Sequence, residues 1–109
     1  MSRHAATAAR VVKQVTSGLG PDVELITAAE REWESATFSG TRHCLDLAIG
    51  LPQADAPPPR FLTALPDHEF DLPGEIVADC CVMLGQRETG ASGQTRLHCR
   101  VELLTIRAD

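Results

Sequence analysis

Hydrophobic and polar positions along this chain recur with two different periods. Near the N-terminus, Ala5, Ala8, Val12, Val15 and Leu19 return every three or four residues. That spacing predicts a helix over residues 2–17, with Ser2 as N-cap and Arg3, Arg10 and Lys13 on the remaining surface. Gly18-Leu19-Gly20-Pro21 ends it, because glycine accepts the left-handed position after a helix and proline cannot continue one.

Farther on the period drops to two, the spacing of a strand. In residues 41–51, His43, Leu45, Leu47 and Ile49 point one way and Arg42, Cys44, Asp46 and Ala48 the other. In residues 96–106, Leu97, Cys99, Val101 and Leu103 face inward. Arg96, His98, Arg100 and Glu102 face outward, and Leu104 and Ile106 break the outward polar pattern. Residues 75–84 place Ile76, Ala78, Cys80, Val82 and Leu84 on one face and Val77, Asp79, Cys81 and Met83 on the other. Both faces are partly apolar, which predicts a central strand. Residues 22–37 carry two signals. Alanine and glutamate favour a helix, but Glu30, Glu32 and Glu34 alternate strictly with a register holding Val23, Leu25, Ala29, Trp33 and Ser35. A strand fits better, with Arg31 the one misfit on its apolar side.

Turn chemistry links these runs. Phe38-Ser39-Gly40 reads as a three-residue hairpin loop with Gly40 left-handed, which sets Trp33 opposite Leu45 and Glu34 opposite Cys44. Residues 52–66 form a proline-rich connection, with Pro59 opening a short helix that turns Phe61, Leu62 and Leu65 inward. Gly90 and Gly93 mark a last turn over residues 87–94. The resulting fold class is α+β: an N-terminal helix packed on a four-stranded antiparallel sheet made of two hairpins, in a single domain spanning 1–109. The acidic row Glu30, Glu32, Glu34 and the basic row Arg96, His98, Arg100 suit neighbouring strands, which gives the order 2-1-4-3.

Composition narrows the function classes. A chain of 109 residues buries roughly 60–65% of its unfolded surface, enough to fold without staples. A formal net charge of −5 and no Tyr argue against nucleic acid, which needs clustered cations and stacking rings. No stretch approaches the ~20 apolar residues of a membrane span. The opening residues lack a secretory apolar region, so the expected location is cytoplasmic and the four cysteines are expected as reduced thiols. Nine arginines against one lysine, Lys13, reads as coding bias of a bacterial kind.

The chemistry that remains is sparse. A tight turn at Thr89-Gly90 sets Cys80 opposite Cys99 in the core, Cys81 opposite His98 on the outer face, and Asp79 opposite Arg100. Directly opposed side chains have Cβ atoms ~5 Å apart, so His98 with Asp79 nearby would activate Cys81 as a nucleophile or redox-sensitive thiol. A half-buried small residue beside a polar one on a wet face explains the same pattern. Arg96 and Arg100 make a candidate anion site. Cys44, Cys81 and His98, with Asp46 or Glu34, lack the paired ligand spacing of a zinc site; no metal and no cofactor is expected. Neither a nucleophile elbow nor a phosphate loop occurs. Val77, Met83, Leu104 and Ile106 stand among the charges of the outer face, a surface suited to self-association or a protein partner. The expectation is therefore a small soluble intracellular, non-catalytic association module. A thiol enzyme or redox switch using Cys81 and His98 is the alternative.

Overall fold

Residues 3–108, described by a computed structural model, form helix α1 (Arg3–Leu19) and strands β1 (Val23–Glu34) and β2 (Ser39–Leu51). Then come a short helix α2 (Arg60–Ala64) running into a 3-10 turn (Leu65–Asp67), and strands β3 (Glu75–Thr89) and β4 (Thr95–Arg107). The α+β class, the N-terminal helix and the two antiparallel hairpins are as the hydrophobic periods predict. The N-cap assigned to Ser2 lies outside the described residues.

The strand order is β1-β2-β4-β3, not 2-1-4-3. The two hairpins join through β2 and β4, so β2 takes the middle and β1 the edge; β3, whose two partly apolar faces suggest a central strand, is an edge strand. Its partly apolar outer face is open to solvent, and the two strands with the cleanest alternation take the middle. Their inward residues (Leu45, Leu47, Ile49, Leu97, Val101 and Leu103) are at most 2% exposed. Each such side chain contributes roughly 1.5–3 kcal/mol by leaving water. Helix α1 covers this side. Its buried stripe is Thr7, Val11 and Val15, with Ala8, Val12 and Leu19 only half-buried, so the apolar face is turned from the one read in the sequence. Leu62 and Leu65 close the core beside it; Pro59 is the residue before α2, not its first.

Side-chain contacts fasten the connections. The Gln14 amide donates to the Asp71 carbonyl at 2.7 Å and accepts from the Asp71 N–H at 2.9 Å, tying α1 to the approach to β3. Arg87 Nη1 donates to the carbonyls of Ala54 and Ala56 at 2.9 and 2.6 Å, pinning the proline-rich connection.

Both hairpins are registered differently from expectation. The first turns through Ser35–Phe38, where the Ser35 N–H donates to the Phe38 carbonyl at 2.8 Å. Gly40 therefore lies inside β2, opposite Trp33. Its φ is not left-handed; it is glycine because a Cβ there would lie 1.9 Å from the Thr105 carbonyl oxygen. The second hairpin turns through residues 90–94 with Gly93 at φ 85°. That later turn adds residues to β3 and moves every pairing.

Bulges then change the phase of both edge strands. In β1 the ladder skips Ile26, and in β3 it skips Ala78 and again Gly85-Gln86. A bulge puts two residues against one, so every side chain beyond it changes face. After Ile26, Arg31 and Trp33 point to the outer face. Glu30, Glu32 and Glu34 go to the α1 side, where the strand edge leaves them exposed. The misfit of Arg31 was the sequence's one sign of that bulge.

Candidate functional site

The outer face of the sheet is covered by no other element among the described residues. Its side chains form rows perpendicular to the strands, because directly paired residues in an antiparallel sheet share a face. Across β1, β2, β4 and β3 in turn, one row is Thr27, Asp46, Arg100, Met83. The next is Ala29, Cys44, Glu102, Cys81. Then come Arg31, Arg42, Leu104, Asp79, and finally Trp33, Gly40, Ile106, Ile76.

Each row has its own chemistry. In the first, Arg100 Nε donates to Asp46 Oδ1 at 2.9 Å and Thr27 Oγ1 donates to Asp46 Oδ2 at 2.8 Å. The bonds from Arg100 and then Thr27 hold the Asp46 carboxyl below its ordinary value. In the second, three of the four side chains are small, which leaves a groove. With the flanking arginines it encloses about 480 Å³, a size typical of ligand clefts. In the third, Arg31 and Arg42 stand directly opposite one another at one end and Asp79 at the other. Among the described residues neither arginine nor Asp79 has an ion-pair partner. The fourth is apolar. Ile76 is 58% exposed, and the Trp33 indole lies over Gly40 with its N–H buried and unpartnered.

The residues singled out from sequence are redistributed. Cys81 is exposed on the outer face, but Glu102 stands opposite it, and Asp79 is opposite Leu104. His98 lies farther along β4, with Nε2 3.4 Å from Glu88 Oε1. Cys81, His98 and Asp79 are therefore not one constellation: the later turn and the Gly85-Gln86 bulge separate them. Cys80 pairs with Leu103 instead of Cys99, and all four cysteines are free thiols. Burial pushes the Cys80 and Cys99 thiols up to about 11, Asp79 adding to the effect at Cys80. Burial also raises Cys44, against the opposing pull of Arg100.

Arg96 and Arg100 do not form an open anion site. Arg96 bonds Glu24 and Arg100 bonds Asp46, so both cations are already paired. The acidic partners are Glu24, which lies before the Ile26 bulge, and Asp46, rather than the Glu30–Glu34 row, because that bulge turns the row to the α1 side of the sheet. Of the predicted apolar surface, Met83, Leu104 and Ile106 are on the outer face. Val77 is not: it pairs with Thr105 and packs on the core. The Ala78 bulge turns Ile76 outward in its place. Sequence reasoning missed Arg31, Arg42 and Ile76, and a bulge assigned at the Arg31 misfit would have found the first. No three His, Cys, Asp or Glu side chains among the described residues gather as a metal site. No helix among them is long and apolar enough to cross a membrane.

Comparison with known proteins finds no family model, no curated protein and no solved structure that matches the chain.

Proposed function

We propose that this chain is a non-catalytic association module of the cytoplasm that binds a protein surface with the outer face of its sheet. The observation that carries the reading is the uncovered face itself. It spans four strands and combines an apolar row, Trp33, Ile106 and Ile76, with Leu104 between Arg42 and Asp79 and Met83 beside the Asp46–Arg100 pair. Contiguous apolar surface rimmed by polar groups is costly to leave in water and is the usual sign of a contact site. Thiol chemistry at Cys81 keeps that residue's exposure in its favour but has lost the imidazole that would activate it.

The test is a photo-crosslinking amino acid placed at Met83 in the producing cell, with a second copy of the experiment at Lys13 on α1. The reading expects a discrete crosslinked product from position 83, and none of the same mass from position 13. Absence of any product from position 83, with the protein folded, would sink it.

A further inference from the structure

Resting on that reading, we infer that the partner is a second copy of this chain, stacked face to face about a two-fold axis parallel to the strands and running between β2 and β4. The rows decide this. A two-fold rotation about that axis keeps each row at its own height and reverses its order, so each row meets itself backwards. In the row Arg31, Arg42, Leu104, Asp79, reversal sets Arg31 against the partner's Asp79 and Asp79 against the partner's Arg31. The two groups at opposite ends of one row, which have no ion-pair partner among the described residues, are thereby paired twice.

The first and last rows agree, and in the second Cys44 meets the second copy's Glu102 with no like charges opposed. Reversal sets Trp33 against the second copy's Ile76 and Gly40 against its Ile106, apolar on apolar. It sets Asp46 against the second copy's Arg100, so two existing ion pairs join into a four-charge network. A perpendicular axis through the row that holds Arg31 and Asp79 fares worse. An axis at right angles to the strands would keep each strand over its own counterpart and, at the height of that row, bring Arg31 against Arg31 and Asp79 against Asp79, a repulsive match.

Size and geometry suit a weak, reversible contact. Four strands about 4.8 Å apart and four rows about 6.8 Å apart make a face of about 500 Å² per copy. That is about 1,000 Å² for the pair, the size of a weak, concentration-dependent interface. Aligned packing of two twisted sheets at about 30° keeps rows near the axis matched.

Sedimentation equilibrium on the purified chain tests this with Arg31→Asp, Asp79→Arg and Ile76→Asp. All three positions are exposed, so each variant is expected to fold, which circular dichroism checks. The wild type is expected to dimerise. Arg31→Asp and Asp79→Arg alone each put like charges in both contacts and are expected to associate at least about tenfold more weakly. Mixed in equal amounts they form a heterodimer in which both contacts are opposite in charge, and dimerisation is expected to return. A wild type that is monomeric at every concentration overturns the inference, while a Met83 crosslink to a different protein would leave the outer-face reading intact. A dimer lost in Ile76→Asp but not rescued by the mixture overturns the two-fold arrangement alone. If it survives in Ile76→Asp, both the arrangement and the use of this face are wrong.

Discussion

The two middle strands and the two edge strands of this sheet are built from similar residues but obey different rules. β2 and β4 pair without interruption from Gly40–Ile106 to Leu51–Thr95. Their alternation is unbroken, and the inward half of each is sealed. β1 and β3 are bulged, and most of their side chains are exposed. The difference is one of neighbours. A middle strand is held on both sides, so an extra residue would disrupt two ladders at once. An edge strand has only one ladder to disturb, and bulges and charges there discourage open edges from pairing with other chains. β1 carries Glu24, Glu30, Arg31, Glu32 and Glu34 for that purpose. The segment Cys80–Leu84 of β3 has no such charge.

The sharpest way to break this contrast is to remove one leucine from each kind of strand. Leu97 in β4 is 2% exposed and Leu84 in β3 is 52% exposed. Urea unfolding is expected to show Leu97→Ala costing ~2–5 kcal/mol, cavity included, and Leu84→Ala under ~1 kcal/mol. Equal losses would mean that β3 is as enclosed as β4. The Ala78 bulge gives a smaller test. Val77→Ser is expected to cost about 1–2 kcal/mol, because it puts a hydroxyl against the core. Ile76→Ser is expected to stay within about 0.5 kcal/mol at low protein concentration. The reverse ranking would restore an unbulged strand.

The smallest effect concerns the ion pair that links β2 to β4 on the outer face. Arg100 and Thr27 lower the Asp46 carboxyl. A lowered folded-state value adds stability that is fully present above the unfolded value of about 3.9 and is lost as pH falls through the folded one. Because the pair is well exposed, solvent screens it and its contribution is the smallest of the three effects. The stability difference between wild type and Arg100→Ala, measured by urea unfolding as a function of pH, is expected to shrink as the solution is acidified below about pH 4. A difference that stays constant into strong acid would show that Arg100 acts through its aliphatic stem instead.

Much of the candidate surface was legible before the fold was known. Met83, Leu104 and Ile106 were placed outward by alternation alone, and the phases of Cys44, Asp46 and Arg100 were read correctly. The errors cluster on the edges. Glu30, Glu32 and Glu34 alternate perfectly, yet the Ile26 bulge sends them to the opposite side. The same kind of shift moved Val77 inward and Ile76 outward. His98 was lost to Cys81 because a turn placed a few residues early changes every pair in its hairpin. Apart from the Arg31 misfit, none of these shifts marks the local pattern, since a strand reads the same on either side of a bulge.

The sequence by itself determined the element types, the stop of α1 before Gly20-Pro21, two residues later than residue 17, and the inward faces of β2 and β4. These depend on local spacing and on the cost of leaving apolar groups in water. Only the tertiary structure decided that β2 and β4 are neighbours, where the bulges fall, and which charges meet. Those are contacts between residues far apart in the chain, and many alternative pairings satisfy the same local spacing. The chosen one buries the inward faces of β2 and β4 beneath α1, Leu62 and Leu65, and leaves Arg31 and Asp79 at opposite ends of one row, each without an ion-pair partner among the described residues.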